Sequence, residues 1–216
     1  MLLWLIEFFL LFLILPTLSV LKIIPFILFS LITFFWCLLV LLFDSTFDRK
    51  QLWNQAALRP QLKRIFITYV LSCIIISLGI FLYDERLLFI YVRKIPLLWI
   101  SLMILYPFFV YPQELVYRTF FFHRYKRIFP KNLIMIVVSA VVFSYMHIVF
   151  QNVVAIVLTL VGGILFATTY YKTRSTFAAF FEHTLYGCFV FTVGLHSYFL
   201  QLNTRLFLEY IQYTYW

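Results

Sequence analysis

The sequence predicts an all-α polytopic membrane protein, a bundle of about seven transmembrane helices followed by a C-terminal interfacial helix or an eighth span. Three observations predict this fold class. Hydrophobic residues make up 65% and charged residues only 12% of the 216 residues, which lies outside the composition of soluble domains. The mean hydropathy is +1.01. The apolar residues are grouped in runs of the length that a membrane helix needs, about 20 residues.

Three apolar runs form the predicted N-terminal membrane region, residues 1–95. The first run covers 2–21 and the second covers 23–43. A polar stretch follows, and the third run covers 65–83. Each run is long enough for one span, so we expect three membrane helices in this region.

Four further apolar runs form the predicted catalytic core of the bundle, residues 96–195. They cover 97–122, 133–150, 153–171 and 176–195. Pro107 and Pro112 lie inside the first of these runs and predict a kink, because proline removes a helix hydrogen bond. The last segment, 196–216, is apolar but carries charges, so we predict an amphipathic tail that lies in the interface.

The net charge of +9 bears on partners and on orientation. Basic residues occur singly or in small groups between the apolar runs, so nucleic-acid binding is not expected. Most of them fall in three loops that an alternating bundle places on one side, at 44–64, 123–131 and 172–175. Because Lys and Arg are enriched in cytoplasmic loops, we expect this side and the N-terminus to face the cytoplasm, in an inner or plasma membrane.

Ionisable side chains within the predicted core spans need an explanation, because each costs at least ~2.5–3.5 kcal/mol at the centre of a membrane helix. Glu114 and Arg118 are four residues apart, so they share a helix face and can pair. His147 and His183 lie on two later spans. Hairpin geometry places His147 on the order of 6 Å from the depth of Glu114, and places His183 closer to the cytoplasmic side. Taken singly, these residues also fit a structural ion pair and two interhelical hydrogen bonds.

Two neighbouring features have simpler interpretations. The pair Gly162 and Gly163 is expected to let a neighbouring helix approach closely. Glu182 points about 100° away from His183 on the helix, so it either faces water or orients the histidine.

Three short motifs occur in order on the core spans. They are Gln-Glu-Leu-Val-Tyr-Arg at 113–118, Phe-Ser-Tyr-Met-His at 143–147 and His-Thr-Leu-Tyr-Gly at 183–187. Together they resemble the CPBP family of intramembrane proteases, which includes CAAX prenyl protease type 2 and the bacteriocin-processing, Abi-like group. That family's pattern is Glu-Glu-x-x-x-Arg, then Phe-x-x-x-His on the next span, then His-x-x-x-Asn or Asp two spans later. The resemblance covers about residues 96–195.

Two positions depart from the family pattern. Gln113 stands where the family has the glutamate thought to activate water, and an amide can position water but cannot be a general base. Gly187 replaces the Asn or Asp that closes the third motif, which removes one expected hydrogen-bond donor. The positions that match are Glu114, Arg118, Phe143, His147 and His183.

The resemblance implies an intramembrane endopeptidase that hydrolyses a peptide bond of a membrane-associated or lipid-modified protein or peptide. The expected catalytic residues are Glu114 as the base, His147 holding the water and His183 stabilising the oxyanion. The expected supporting residues are Gln113, Arg118 and Phe143. The expected partners are the lipid bilayer and a membrane-anchored peptide or protein substrate.

Two alternatives stay open at this point. Glu114, His147 and His183 form a His₂-carboxylate set of the type that binds catalytic zinc, so a divalent metal such as zinc is an alternative to metal-free hydrolysis. Gln113 and Gly187 favour a second reading, a catalytically impaired family member that acts as a membrane binding or immunity protein. A small transporter is disfavoured, because the discontinuous repeats typical of transporters are missing.

Overall fold

The computed structural model describes residues 2–199, and most of the predicted tail at 196–216 lies outside them. Within this part, seven helical segments are long and apolar enough to cross a membrane. They are α1 (Leu2–Val20), α2 (Phe26–Phe43), α3 (Leu62–Asp84, within the span Ala56–Lys94), α4 (Pro96–Arg124), α5 (Asn132–Phe150), α6 (Val153–Thr173) and α7 (Thr176–Val193). The predicted all-α bundle of about seven membrane helices is therefore confirmed.

Short helices flank the long membrane helices. They are the 3₁₀-helices Arg49–Trp53, Ala56–Gln61, Glu85–Leu87 and His196–Phe199 and the α-helical turn Ile90–Lys94. The loop after α2 begins at Asp44, whose carboxylate accepts hydrogen bonds from Thr46 and from His123 at the end of α4. These bonds, first those from Thr46 and then that from His123, hold the pKa of Asp44 well below its usual range. The loop is thus fixed to the end of α4.

Two membrane helices that carry the motifs depart from regular α geometry at the motif residues. Helix α4 is α-helical over Pro96–Glu114 and continues through both internal prolines, and a π-helical turn then covers Leu115–Phe120. Helix α5 is α-helical over Asn132–Met146 and tightens into a 3₁₀ turn over His147–Phe150. Such local changes of hydrogen-bond register are frequent at functional sites.

Small residues allow α5 and α6 to pack closely. A Cβ atom added to Gly163 would lie only 3.0 Å from the Cα atom of Ala140 on α5. The expected close approach of a neighbouring helix at the glycine pair is therefore confirmed at Gly163. Three residues after Gly163 on α6, the Phe166 side chain is buried and stacks on His183 of α7.

The core of the bundle is rich in aromatic side chains, while the outer surface is apolar as well. Fully buried rings come from N-terminal helices, such as Phe12, and from the motif helices, such as Phe120 and Phe143. Large apolar side chains also point outward along the spans, for example Ile75 at 69% and Phe108 at 73% exposure. Extended apolar surface of this kind marks a face that contacts lipid.

Candidate active site

The three motifs meet inside the bundle. Glu114 and Arg118 on α4 are fully buried, with exposures of 0%. His147 on α5 and His183 on α7 are buried at 7% and 6%. The structure therefore brings together one carboxylate, one guanidinium and two imidazoles that are up to 69 residues apart in sequence.

Glu114 is held between two partners. The Nδ1 atom of His183 lies 2.8 Å from Oε1 of Glu114, and Nε of Arg118 lies 3.4 Å from Oε2. The expected pairing of Glu114 with Arg118 is confirmed. The expectation that His183 lies nearer the cytoplasmic side than Glu114 was wrong, because α4 and α7 pack directly against each other. The hairpin estimate followed the chain through α5 and α6 and could not include this contact.

The buried Arg118 is further stabilised by aromatic faces. Its guanidinium carbon lies 4.4 Å from the ring centroid of Phe143 and 5.8 Å from that of Phe166. Its Nη2 atom lies 3.5 Å from the carbonyl oxygen of Gly163. Cation–π contacts gain strength where water is excluded, so the ring of Phe143 stabilises the guanidinium charge and also packs in the core.

His147 makes a hydrogen bond that fixes its tautomer. Its Nδ1 atom lies 2.8 Å from the carbonyl oxygen of Phe143, one turn earlier on α5. A carbonyl oxygen can only accept, so Nδ1 carries the proton and donates it. In the neutral imidazole, Nε2 is then an acceptor. The ring also contacts the ring of Phe143 edge-on, with 4.7 Å between centroids.

His183 is held between two aromatic rings. Phe166 stacks on it with 4.5 Å between centroids and an interplanar angle of 16°. Phe143 meets it edge-on at 5.4 Å. A Cβ atom at Gly162 would lie 3.0 Å from the end of the Phe166 ring, so the glycine gives that ring its room. These contacts fix the imidazole plane while Nδ1 is held by Glu114.

A cavity of about 180 Å³ adjoins this cluster. His147, His183, Gln113 and Phe143 line it, but Glu114 and Arg118 do not. The amide nitrogen of Gln113 donates to the carbonyl oxygen of Phe109 at 2.9 Å, and among the described residues its amide oxygen has no partner. Most other lining residues are apolar or aromatic. The two imidazoles and the Gln113 amide are therefore polar groups in a largely apolar chamber.

Glu182, next to His183, has its own polar partners. It is fully buried, so the expectation that it could face water was wrong. Its Oε1 atom lies 3.2 Å from Nη2 of Arg64 on α3, and it accepts a hydrogen bond from the Thr169 hydroxyl on α6. Through these two contacts, Glu182 connects α7 with α3 and α6 beside the candidate site.

Sequence reasoning missed Tyr106, which lies opposite the position that departs from the family's third motif. A Cβ atom added to Gly187 would overlap the hydroxyl and the outer ring carbons of Tyr106. Tyr106 also lines the cavity and lies 6.0 Å from the His183 ring, centroid to centroid. No motif pointed to Tyr106, Phe166 or Arg64, because their contacts arise only from the packing of the helices.

The residues do not fit a bound metal ion in this arrangement. Within residues 2–199, no group of three or more His, Cys, Asp and Glu side chains could hold one. Glu114 does not line the cavity, and its two oxygens face Arg118 and His183. The set of Glu114, His147 and His183 therefore has no common point at which three ligand atoms meet.

The fold and this cluster define a polytopic α-helical membrane protein with a buried carboxylate–imidazole pair beside a cavity. Residues 93–189 match the model of the Rce1-like family, described as type II CAAX prenyl endopeptidase Rce1-like. The resemblance to the CPBP family is confirmed over these residues, which are a little under half of the chain. The chain is an integral membrane protein, and this segment supports a CAAX-type intramembrane protease in general. Neither the curated proteins nor the solved structures give a match.

Proposed function

We propose that this protein is an intramembrane endopeptidase that hydrolyses a peptide bond of a membrane-associated or lipid-modified protein or peptide. The observation that carries the proposal is the 2.8 Å contact between Nδ1 of His183 and Oε1 of Glu114, beside a cavity that His183 and His147 line. A buried polar cluster in a membrane bundle is costly and commonly marks a functional site. The family match over residues 93–189 supports a protease.

In this proposal the roles differ from those expected from the sequence: Glu114 orients the base, and His183 is the base rather than the residue that stabilises the oxyanion. Glu114 does not line the cavity, so a water molecule there meets the imidazole first. The carboxylate accepts a hydrogen bond from Nδ1–H of His183, which leaves Nε2 of the neutral imidazole as an acceptor. It also stabilises the imidazolium that forms after proton transfer, as carboxylates do in other hydrolase sites. Arg118 holds the second oxygen and keeps the carboxylate in place.

The reaction then follows from the two free imidazole nitrogens. His147, whose Nδ1 donates to the backbone, uses Nε2 to accept one hydrogen bond from the attacking water. The water oxygen bonds to the scissile carbonyl carbon while Nε2 of His183 takes its proton. The tetrahedral intermediate collapses as the C–N bond breaks, and the imidazolium returns the proton to the departing amine. Gln113 can accept a hydrogen bond from the substrate with its free amide oxygen.

The proposal extends to substrate and topology. The apolar and aromatic lining of the cavity suits an apolar peptide segment or a lipid group near the cleaved bond. We place the basic loops and the N-terminus in the cytoplasm, in an inner or plasma membrane. Residues 96–195 form the catalytic core in this proposal, and residues 1–95 form a membrane region packed against it.

Cleavage assays with the purified full-length protein test the proposal. In bilayer nanodiscs, we expect cleavage of at least one member of a panel of membrane-anchored and prenylated fluorogenic peptides. Glu114→Gln, His147→Ala and His183→Ala should each lower kcat by ~10²–10⁴-fold, because each removes part of the proton-transfer machinery. Glu85→Gln, an exposed site between α3 and α4, is the matched control and should keep full activity. Cleavage that survives in the histidine variants would refute the mechanism.

A non-catalytic binding or immunity role is the second candidate. It is favoured by Gln113, which has no carboxylate, and by Gly187, which has no side chain. This role requires the cavity but no proton transfer. Cellular function that is unchanged in both Glu114→Gln and His147→Ala would support it over the protease.

A further inference from the structure

Tyr106 on α4 and Gly187 on α7 meet in the wall of the cavity. The hydroxyl, Cζ and Cε1 of the tyrosine occupy the volume that a Cβ atom on residue 187 would need. The ring also packs edge-on against Phe191, with 4.8 Å between centroids. The polar end of the tyrosine therefore sits where a side chain on residue 187 would begin.

The location relative to the base is suited to catalysis. Gly187 follows His183 by four residues on α7, about one helical turn or roughly 6 Å along the axis. The rings of Tyr106 and His183 are 6.0 Å apart and nearly perpendicular, and both residues line the same cavity. A peptide carbonyl placed beside His183 would thus have the Tyr106 hydroxyl within one helical turn.

The cavity needs a hydrogen-bond donor for the substrate carbonyl. Hydrolysis moves negative charge onto the carbonyl oxygen, and enzymes stabilise that charge with preorganised donors. The neutral His147 and His183 offer acceptors, since their Nδ1 protons are engaged. The Gln113 amide nitrogen donates to Phe109, and the Thr159 hydroxyl donates to the backbone of Ala155 at 2.7 Å. The Gln113 amide keeps a second N–H, and Tyr186 adds another hydroxyl to the lining, so Tyr106 is distinguished by its position beside His183 and Gly187.

We infer that the Tyr106 hydroxyl is a catalytic donor that binds the oxygen of the scissile carbonyl and of the tetrahedral intermediate, in the place of a side chain at Gly187. This inference rests on the proposed peptidase function. Gly187 and Tyr106 depend on each other, because a larger residue at 187 would displace the tyrosine. The O–H group stays intact through the reaction and takes no part in the proton balance.

Tyr106→Phe removes the hydroxyl and keeps the ring that packs on Phe191. Loss of one oxyanion donor lowers kcat by ~10²–10³-fold, and KM should change little because the charge develops only in the transition state. Tyr111→Phe is the matched control. It removes a hydroxyl from the same helix that donates to the backbone of Leu52, outside the cavity lining, and should keep kcat per folded molecule.

A second pair of variants tests the shared position. Tyr106→Ala empties the volume that a side chain at 187 needs, and Gly187→Asn in the same chain supplies an amide donor. We expect the double variant to be at least tenfold more active than Tyr106→Ala alone. Gly187→Asn alone should be poorly folded or inactive, because the new side chain overlaps Tyr106.

Parallel assays of Glu114→Gln and His183→Ala distinguish a failure of the inference about Tyr106 from a failure of the proposed peptidase function. If these variants are inactive while Tyr106→Phe keeps the wild-type kcat, the inference is overturned and the peptidase function stands. If the loss in Tyr106→Phe appears only in KM, or the double variant gains nothing, the inference is likewise overturned. If the wild-type protein cleaves no peptide, or cleavage survives without Glu114 and His183, both fall.

Discussion

At the scale of single residues, Arg118 makes two contacts within the candidate site. It holds Oε2 of Glu114 at 3.4 Å, and it lies over the Phe143 ring at 4.4 Å. Both charges are fully buried, so neither can recover its lost hydration if the other is removed. The position of Glu114, and through it that of His183, therefore depends on this guanidinium.

We expect Arg118→Met to lower the free energy of unfolding by ~3–5 kcal/mol, the usual cost of leaving one buried charge without its partner. The double variant Arg118→Met, Glu114→Gln should recover part of this loss, since neither charge of this pair then stays buried. Thermal unfolding in detergent measures both. Arg86→Met, which breaks an exposed pair with Asp84, is the control and should shift the midpoint very little. A double variant less stable than Arg118→Met would contradict this account.

Only some of the contacts in the candidate site could be predicted from the sequence. Glu114 and Arg118 could be paired because their spacing on one helix fixes their neighbourhood. The contact between His183 and Glu114 could not, because it depends on α4 packing against α7 across 69 residues. Tyr106 carries no motif at all and is defined only by the missing side chain at Gly187.

At the scale of helices, regular periodicity explains the spans but not their distortions. Each span could be read from hydropathy alone, because length and apolar character decide membrane insertion. The two prolines of α4 predicted a distortion in that helix, yet the change from α-helical to π-helical hydrogen bonding comes after them, over Leu115–Phe120. All six residues of this π-helical turn are buried. Their hydrogen-bond pattern follows the surrounding packing, which the local sequence does not encode.

The contact between α5 and α6 gives a prediction at this scale. Gly163→Leu should destabilise the protein by about 1–3 kcal/mol or more, because its side chain has to displace the backbone of Ala140. Gly79→Leu on α3 is the matched control, since a Cβ there has no neighbour within 4 Å and faces outward. Chemical or thermal unfolding of both variants in the same detergent makes the comparison. Equal stability of the two variants would contradict the close packing of α5 on α6.

At the scale of the whole molecule, the Rce1-like segment is not packed by itself. The matched residues, 93–189, contain α4 to α6 and most of α7, whereas Arg64 belongs to α3 and Phe12 and Phe29 belong to α1 and α2. Both rings lie in the same buried cluster as the motif helices. The N-terminal region therefore completes the core around the candidate site, and we expect the matched segment to depend on it for stability.

The contact of Arg64 with Glu182 tests that dependence. Glu182 is fully buried and directly precedes His183, and its charge is balanced by Arg64 from α3 with help from the Thr169 hydroxyl. Because Arg64 is partly exposed, we expect Arg64→Met to cost about 3 kcal/mol, the lower end for a broken buried pair. Peptidase activity per folded molecule should also fall, since an unbalanced Glu182 disturbs the adjacent histidine.

Lys63→Met is the control for this experiment, because Lys63 is exposed and is the immediate neighbour of Arg64 on the same helix. The double variant Arg64→Met, Glu182→Gln should regain stability relative to Arg64→Met, since it removes the buried charge that lacks a partner. Unfolding midpoints and initial cleavage rates, measured on the same preparations, follow both effects. If Arg64→Met is as stable and as active as Lys63→Met, α3 only covers the matched segment, and the position of His183 is fixed by α4, α5 and α6 alone.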